Sequence, residues 1–413
     1  MIEFEKVSCM KILHINTVCG YGSTGNIAVE IAEYTRIAGH EAYVAFAHNG
    51  TKYAHGIKFG STIEQKLYAI FARLTGMQGL FGYRSTIQLI AIIDKISPDI
   101  VHIHNIHGNT LYFPWLFNYL KQKKLKVIWT LHDCWSFTGG CSHFTRYGCF
   151  KFQKECNYPC SSYRSWLPFG KAKRLNTVYN KKRDAFTSID KDKLKIVTVS
   201  SWLNKTVKHS FLKKYEISTI YNWINTDIFQ YRYDKTTFVK YNLDPNKKYL
   251  VSVSALWSDT GTTKLNDALR LVAILPEEYQ ILIIGNLETS RTLPANMTYI
   301  PYVNGALELS KLYSIAFAYV NFSIEDTFGK VIAEAMACGT PTVVFDSTAC
   351  GEVVGDVGIK VPSHDVQAIL DALTIIGQTG KEAYIQTSID YVRSNFAPMV
   401  SLSKYLDIYN SFL

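Results

Sequence analysis

Short apolar runs rich in Val and Ile alternate with longer segments of helical periodicity along almost the whole chain. A parallel sheet covered by helices has this pattern, because its strands are buried on both faces and read as continuous apolar runs. The fold class that we predict is therefore α/β, with two Rossmann-like parallel sheets in series. The predicted strands lie at residues 11–15, 41–46, 100–104, 126–131 and 195–199, and then at 249–254, 281–285, 297–300, 318–322 and 342–345.

The domain organisation follows from the length of the chain and from one stretch of weak periodicity. At 413 residues the chain exceeds the size at which one hydrophobic core keeps growing. Residues 215–246 are polar and aromatic, as is typical of an interdomain connection. We predict an N-terminal domain over 1–225 with a cysteine-rich insert at 134–160, a C-terminal domain over 226–395, and a helix over 396–413 that packs on either domain.

The charge and the absence of targeting patterns narrow the class of protein. A formal net charge of +10 favours anionic partners. No nucleic-acid-binding module is recognisable, so nucleic acid is not an expected partner. The first residues include Glu3 and Glu5 and lack the pattern of a signal peptide, and no apolar run is long enough to span a membrane. We expect a cytoplasmic protein, with peripheral contact at most to the inner face of the cytoplasmic membrane.

A glycine-rich run, Gly20-Tyr21-Gly22-Ser23-Thr24-Gly25, follows the first predicted strand and opens a helix predicted over 26–37. Glycines let the backbone approach a ligand, and a helix N-terminus attracts anions. A tight strand-to-helix turn explains the same residues about equally well. The second strand does not end in the acid that binds the ribose of NAD, which argues against a dehydrogenase.

The second half contains the sharper motif, residues 323–330 (SIEDTFGK), followed by a helix predicted over 331–338. The helix N-terminus would point to a phosphate at the ligand-binding edge of the sheet. Asp326 is explained equally well as a helix N-cap. Glu334 lies in an otherwise apolar helix, where a carboxylate needs a partner such as ribose hydroxyls or a basic side chain.

These residues resemble the E-x7-E signature of family-4 glycosyltransferases, the retaining enzymes of GT-B fold, with Asp326 at the first acidic position and Glu334 at the second. The likeness covers nearly the whole chain, and it is closest to the members that build bacterial capsule, exopolysaccharide or colanic-acid-type repeats. The further motifs that carry it are the glycine-rich loop, residues 98–108 (PDIVHIHNIHG), 130–141 (TLHDCWSFTGGC), 199–203 (VSSWL) and 351–354 (GEVV).

The resemblance implies a nucleotide-sugar donor held mainly by the C-terminal domain, facing an N-terminal acceptor domain across a cleft. Glu334 would bind the ribose hydroxyls, and Asp326 would bind hydroxyls of the donor sugar. His132 would reach the donor sugar near the reacting carbon. The remaining substrate-binding residues that it implies are Thr327, Phe328 and Gly329 through their backbone, together with Gly22, Ser23, Asn105 and His107.

The chain departs from the family pattern after the first strand of the second domain, where Arg and Lys are usual. Only Lys264 is available to bind the diphosphate, because the Arg position is occupied by Asp259 or Thr260. The departing nucleoside diphosphate carries the developing negative charge, so cations can stabilise it and no cofactor is required for catalysis. The loss of the Arg leaves open a weak or non-catalytic protein.

Two clusters of side chains contain residue types that bind metal ions. Cys141, Cys149, Cys156 and Cys160 form a candidate structural zinc site, although their spacings fit no standard zinc pair and free or paired thiols are the favoured alternative. His102, His104 and His107 alternate at a strand end, where one packs inside and the others line the cleft, and we expect no metal there.

A basic run lies beside exposed aromatic residues in the first half. It is explained either by a solvated helix face or by binding to anionic lipid or to a lipid-diphosphate acceptor. The run comprises Lys171, Lys173, Arg174, Lys181, Lys182 and Arg183, and its apolar neighbours are Trp166, Leu167 and Phe169.

The sequence thus predicts a retaining glycosyltransferase that moves a sugar from a UDP- or GDP-linked donor to a glycan or polyprenyl-diphosphate-linked acceptor in surface polysaccharide synthesis. The first alternative is a nucleotide-sugar epimerase or hydrolase of the same architecture. The second is a non-catalytic nucleotide-sugar-binding partner protein.

Overall fold

The computed structural model describes residues 9–260, 262–301, 303 and 305–412. Glu3 and Glu5, on which the prediction of a missing signal peptide partly depends, lie outside this range. The described chain forms two compact units, one ending at Ile220 and resuming at Leu402, the other spanning Tyr221–Ser401. Among the described helices, none combines the length and the apolar composition needed to cross a bilayer.

The first unit is a seven-stranded parallel sheet in the order β3-β2-β1-β4-β5-β6-β7. Its helices follow the strands as crossover connections, as the alternating pattern predicts. The elements are β1 (Lys11–Asn16), α1 (Gly22–Ile37), β2 (Glu41–Phe46), β3 (Gly56–Lys58), α2 (Thr62–Thr75), α3 (Tyr83–Ile96), β4 (Ile100–Ile103), α4 (Phe113–Gln122), β5 (Lys126–Leu131), α5 (Lys171–Phe186), β6 (Leu194–Thr198), α6 (Ser201–Lys208) and β7 (Glu216–Thr219).

The second unit is a six-stranded parallel sheet in the order β10-β9-β8-β11-β12-β13. Its core joins the buried faces of β8, β9, β11 and β12 to α8 and α12. The elements are α7 (Thr236–Lys240), β8 (Lys248–Ser258), α8 (Lys264–Val272), β9 (Tyr279–Glu288), β10 (Met297–Ile300), α9 (Ala306–Ile315), β11 (Ala318–Asn321), α10 (Lys330–Ala337), β12 (Thr342–Phe345), α11 (Cys350–Val354), β13 (Ile359–Val361), α12 (Val366–Thr379), α13 (Glu382–Phe396) and α14 (Pro398–Asn410).

The two parallel sheets confirm the predicted α/β class, and every predicted strand is present. Three short strands were missed: β3, β7 and β13, which are edge strands of their sheets. An edge strand is only partly buried and need not be a continuous apolar run, so it lacks the signal used for the others. Strand β7 and helix α7 fall inside the stretch 215–246 that was interpreted as a plain connection.

Helix α14 is the last described helix, and from Leu402 onward it belongs to the first unit. Tyr405 and Tyr409 on this helix are buried, and their hydroxyl groups reach Thr130 and His102, respectively. The sequence left open which domain the terminal helix packs on, and these contacts place its C-terminal part on the first sheet.

Candidate functional site

The glycine-rich loop of the first unit lies between β1 and α1. Gly20 and Gly22 have φ angles of 59° and 62°, which residues with a side chain adopt at a cost. The N–H of Gly20 donates to the carbonyl of Gly25 at 3.1 Å, which closes the turn. Helix α1 begins at Gly22, four residues earlier than predicted, so the exposed Gly22 and Ser23 form its first turn. Their backbone N–H groups are therefore available to an anion.

A chain of buried imidazoles runs beneath the C-terminal ends of β1, β4 and β5. Nδ1 of His14 lies 3.1 Å from Nε2 of His104, and Nδ1 of His104 lies 3.1 Å from Nε2 of His132. The three rings are stacked, with centroids 5.4 Å apart at each step. His132, the predicted sugar-binding residue, is thus the outermost member of a hydrogen-bonded chain.

His102 lies beside this chain but has other partners. Its Nδ1 is 2.7 Å from the hydroxyl of Tyr409, and its Nε2 is 2.8 Å from the hydroxyl of Thr130. Burial lowers the pKa of His14 to about 3 and that of His132 to about 4, and it holds the pKa values of His102 and His104 well below their usual range. These imidazoles are therefore neutral at pH 7.

His107 and Asn105 follow β4 in the loop that leaves the sheet. Nε2 of His107 lies 2.8 Å from Oδ2 of Asp133, and its ring packs against Trp135. The N–H of Asn105 donates to Oδ1 of Asn16 at 3.1 Å. The structure therefore brings His107 and His132 to one shallow depression, which Asp133 also lines. The pairing of His107 with Asp133 was missed, although Asp133 directly follows His132 in the sequence.

In the second unit, the predicted acidic motif forms the turn between β11 and α10. Gly329, with a φ of 82°, caps the start of α10. The N–H of Asp326 donates to the hydroxyl of Thr348 at 3.0 Å, and the carbonyl of Asp326 accepts the N–H of Ala349 at 3.2 Å. The side chain of Phe328 is buried against Phe396. The turn is thus held rigidly from two sides, although Asp326 shows no helix-capping hydrogen bond.

Glu334 lies in the second turn of α10. Its side chain is partly exposed, and burial nevertheless raises its pKa to about 7 while the nearby Lys330 opposes the shift. The hydroxyl group of Tyr313 is buried nearby without a hydrogen-bond partner among the described residues, and that of Tyr319 is buried in the same region. Unpaired polar groups of this kind are costly and are common where a ligand completes the site.

Lys264 is the first residue of α8, and its Nζ donates to the hydroxyl of Ser254 at 3.3 Å. Asp259, one of the two residues predicted to replace the family's Arg, is paired with Arg291: Nε of Arg291 lies 3.1 Å from Oδ1 of Asp259. Nη1 of Arg291 donates to Oδ1 of Asn266 at 2.8 Å. A guanidinium group from a different part of the chain therefore lies beside Asp259, and sequence spacing gave no signal for it.

The basic run of the first unit is not one solvated face. Lys182 is fully buried, and its Nζ donates to the carbonyls of Trp135 and Thr138 at 2.6 and 3.1 Å. Arg174 donates to the carbonyls of Thr75 and Leu167. Both side chains hold the fold together, so the prediction that the run forms a single exposed surface is wrong for them.

Two family descriptions match the chain. Residues 24–228 match "Glycosyltransferase Family 4", and residues 234–383 match "Glycosyl transferases group 1". The first match covers the sheet of the first unit except β1, including His104 and His132, and the second covers the sheet with Glu334.

Characterised relatives match over shorter segments. The chain is 27% identical over 185 residues to the O-antigen chain mannosyltransferase RfbU of Salmonella typhimurium, covering 42% of this chain and 49% of that protein. It is 42% identical over 71 residues to the O-antigen chain mannosyltransferase B of Escherichia coli, covering 17% of this chain and 18% of that protein. The matches thus span half or less of the length of these relatives.

Solved structures share the fold over the whole length. Sucrose-phosphate synthase from Thermosynechococcus elongatus matches with a TM-score of 0.68 at 15% identity, covering 97% of this chain and 98% of that one. Anabaena Alr3699/HepE in complex with UDP matches with a TM-score of 0.66 at 12% identity, covering 97% and 100%. At these identities the likeness establishes the fold and nothing finer.

Proposed function

Because the chain belongs to the family-4 glycosyltransferases, we propose that it transfers a sugar from a nucleotide-sugar donor to a glycan or lipid-linked oligosaccharide in surface polysaccharide synthesis, with retention of configuration. The observation that carries the proposal is the turn between β11 and α10. There the start of a helix and the partly buried carboxyl group of Glu334 lie a little over one turn apart. This pairing suits a ligand with a phosphate at one end and a hydroxyl-bearing ribose next to it.

Glu334 binds the ribose in this proposal. Its carboxyl group has little water around it, so the charged form is unfavourable until hydroxyl donors reach it. Ribose hydroxyls supply such donors, and the nucleotide therefore stabilises the charged form of Glu334. The buried hydroxyls of Tyr313 and Tyr319 add polar groups to the same region.

The diphosphate lies at the N-terminus of α10, near the backbone of Thr327, Phe328 and Gly329. Departure of the nucleoside diphosphate leaves negative charge, and fixed cations and helix dipoles stabilise such charge without reorganising. Lys264 and the guanidinium of Arg291 are the cations that we assign to it, which makes the reaction independent of a metal ion. Asp326 accepts hydrogen bonds from hydroxyls of the donor sugar.

UDP and GDP are the proposed nucleotides. One solved structure of the same fold, Anabaena Alr3699/HepE, is a complex with UDP, while the characterised relatives are mannosyltransferases. We keep both bases in the proposal, and the thermal-stabilisation test below distinguishes UDP from GDP.

An exposed apolar surface on the first unit suits a lipid-linked acceptor. Ile63, Leu67, Ile70 and Phe71 lie on one face of α2 and are 44–74% exposed. We call these four residues the α2 surface. The N–H groups of Trp166 and Leu167 donate to the carbonyls of Arg73 and Leu74, so two more exposed apolar residues extend this surface, and Phe169 follows them. Exposed basic residues adjoin it: Lys66, Arg73 and Lys173.

Apolar groups flanked by cations bind the interface of an anionic bilayer, since the former enter the acyl boundary and the latter attract the headgroups. We therefore assign the α2 surface to peripheral contact with the membrane that holds the acceptor. Co-sedimentation with phosphatidylglycerol-containing vesicles should fall in Leu67→Ser/Phe71→Ser, whereas Ile375→Ser, an exposed apolar residue of the second unit, should bind as the parent does.

The test of the proposed activity separates it from the two alternatives. Thermal stabilisation is measured with UDP, GDP, ADP, CMP and NAD, since a ligand that binds the native state raises its melting temperature. Nucleotide release from the matching donor is then followed with and without a polyprenyl-diphosphate-linked acceptor. Release that requires acceptor supports the transferase, and release without acceptor supports a hydrolase. Conversion of the donor to its epimer without net release supports an epimerase, and binding with neither result supports a non-catalytic partner.

A further inference from the structure

The segment between β5 and α5 has an unusual architecture for its length. Residues 132–170 form no helix or strand beyond three single 3-10 turns, at Trp135–Phe137, Thr145–Tyr147 and Lys151–Gln153. A connection of this length inside a compact domain needs something other than secondary structure to hold it. Aromatic packing supplies part of this: Phe152 contacts both Phe137 and Phe144.

Four cysteines of this segment converge although they are far apart in its sequence. Cys141, Cys149, Cys156 and Cys160 all line one cavity of about 270 Å³, and Cys141, Cys149 and Cys160 also line the neighbouring cavity. These three residues therefore form part of the wall between the two cavities. The thiols of Cys141 and Cys160 are hydrogen-bonded to each other.

The convergence does not depend on the thiols themselves. Nζ of Lys151 donates to the carbonyl of Pro159 at 2.7 Å and so ties the Cys160 turn to the turn that follows Cys149. The hydroxyl of Thr138 donates to the carbonyl of Cys141 at 2.7 Å. These contacts hold parts of the segment at the cavity through side chains and backbone carbonyls, without using a sulfur atom.

The charges around this space are complementary to thiolates. Arg73, Lys151 and Arg164 line the same cavity, and the buried ammonium group of Lys182 lies close enough to interact with Cys141 and Cys156. The hydrogen bonds of Lys182 go to two carbonyls, which do not neutralise its charge. A tetrathiolate metal site carries two net negative charges, which would balance these cations.

We propose that Cys141, Cys149, Cys156 and Cys160 bind one structural zinc ion that holds residues 132–170 in place. Zinc is the expected metal because thiolates favour soft or borderline cations. Structural zinc sites are usually tetrahedral, and four cysteines are one of their common ligand sets. Zinc–sulfur bonds of ~2.3 Å would draw Cys149 and Cys156 toward the Cys141–Cys160 pair. Each thiol releases its proton to solvent on binding, so no oxidant or reductant is involved.

A group of buried histidines in the first unit is the competing metal site. Within the described residues, His14, His102 and His104 are the group whose ligand atoms all lie within 4.8 Å of one another. The four cysteines do not meet this distance limit, so zinc would have to draw their sulfur atoms together on binding. They remain the better ligands because thiolates balance the charge of the ion, whereas three neutral imidazoles would leave two positive charges buried. Both nitrogens of His102 are bound to hydroxyl groups, and the nitrogens that link His14 to His104 are bound to each other.

The experiment measures metal in the full chain purified without a polyhistidine tag. Elemental analysis should find about one zinc per chain, and a mercurial reagent that titrates thiols should release it. Cys149→Ser and Cys160→Ser should each lose the zinc, whereas Cys9→Ser, an exposed cysteine outside the segment, should keep it.

Three results would overturn the proposal, and the first two need no variant to fold. One is wild-type protein with less than a tenth of an equivalent of zinc after purification in zinc-supplemented medium. The second is an intact mass showing disulfides among these cysteines in protein prepared under reducing conditions. The third is zinc that survives both Cys→Ser changes and disappears in His14→Asn, which would place the metal at the histidines.

Discussion

Nδ1 of His104 lies 3.1 Å from Nε2 of His132. A neutral imidazole carries one proton, and His104 uses its second nitrogen to bond His14, so the donor and acceptor roles along the chain are linked. If His104 donates to His132, His14 must donate to His104, and the reverse holds as well. The protonated nitrogen is therefore the same on all three rings: Nδ1 in one arrangement and Nε2 in the other.

This linkage gives the first prediction. In protein labelled with ¹⁵N at histidine, two-bond nitrogen–proton correlation spectra should show one shared tautomer for His14, His104 and His132. His104→Phe should change the tautomer balance of His132 and cost about 1–3 kcal/mol of stability, because two buried ring nitrogens lose their partner. An exposed control, His209→Gln, should alter neither. Mixed tautomers within the wild-type chain would contradict the linkage.

The second prediction concerns acid. Burial lowers the pKa values of His14 and His132 to about 3 and 4, below the unfolded value of about 6.5. A group with a lowered folded pKa binds fewer protons in the folded state, so its contribution to stability is present above pH 6.5 and declines as the pH falls toward the folded value. The free energy of unfolding, measured in urea, should therefore fall from pH 7 to pH 5.

The variant for this second prediction is His14→Phe, which removes the buried titrating group whose Nε2 has no hydrogen-bond partner among the described residues. Its unfolding free energy should depend less steeply on pH than that of the parent between pH 5 and 6.5. His209→Gln should leave the slope as it is. If the unfolding free energies of His14→Phe and the parent depend equally on pH, His14 does not contribute to the acid dependence.

The strands were predictable and the imidazole chain was not, for a physical reason. Buried parallel strands read as apolar runs, and four of them, β2, β5, β10 and β12, match the predicted limits at both ends. The chain of imidazoles depends on the sheet order β1-β4-β5, which brings together residues 14, 104 and 132. His14 even pairs in register with His102. Sequence periodicity does not contain strand order.

The candidate site was predictable where the motif is local and not where it is assembled from distant segments. Asp326 and Glu334 lie in one turn and helix, and they were identified from the sequence. Arg291 reaches Asp259 from the loop after β9, and the burial of Lys182 depends on the carbonyls of another segment. Both side chains are ordinary surface cations by composition, so only the three-dimensional contacts distinguish them.

The third prediction is a trade between stability and binding at Glu334. Burial raises its pKa to about 7, above the usual value of about 4.5, so its contribution to stability is present below pH 4.5 and is lost as the pH rises through 7. Glu334→Gln removes the titration and should raise the melting temperature at pH 8, with little effect at pH 4.5. The same change should weaken binding of UDP or GDP by about 1–3 kcal/mol.

The control for this third prediction is Glu277→Gln, at a fully exposed carboxylate of the second unit, which should change neither quantity. Calorimetric titration gives the affinity and scanning fluorimetry gives the melting temperature. A more stable Glu334→Gln variant that binds the nucleotide as tightly as the parent would exclude the proposed ribose contact.

The fourth prediction concerns Lys264, the first residue of α8. Its Nζ lies 3.3 Å from the hydroxyl of Ser254 in β8. If Lys264 stabilises the leaving diphosphate, its interaction is stronger in the transition state than in the donor complex. Lys264→Ala should then lower kcat by more than it raises the dissociation constant of the nucleotide. Equal losses in both would show that Lys264 contributes only to binding.

The last prediction concerns the role of Arg291 in the second unit. Its guanidinium is paired with Asp259 and Asn266, so it acts either as a charge toward the diphosphate or as a brace for the start of α8. Arg291→Ala should lower kcat in both cases, while the loss of a surface ion pair costs about 1 kcal/mol of stability or less.

Asp259→Ala distinguishes the two roles, because it frees the guanidinium from its carboxylate. A charge role predicts that Asp259→Ala keeps or raises kcat, whereas a brace predicts that it loses activity as Arg291→Ala does. Since Asp259 would otherwise be a repelling charge beside the leaving group, we expect the first result.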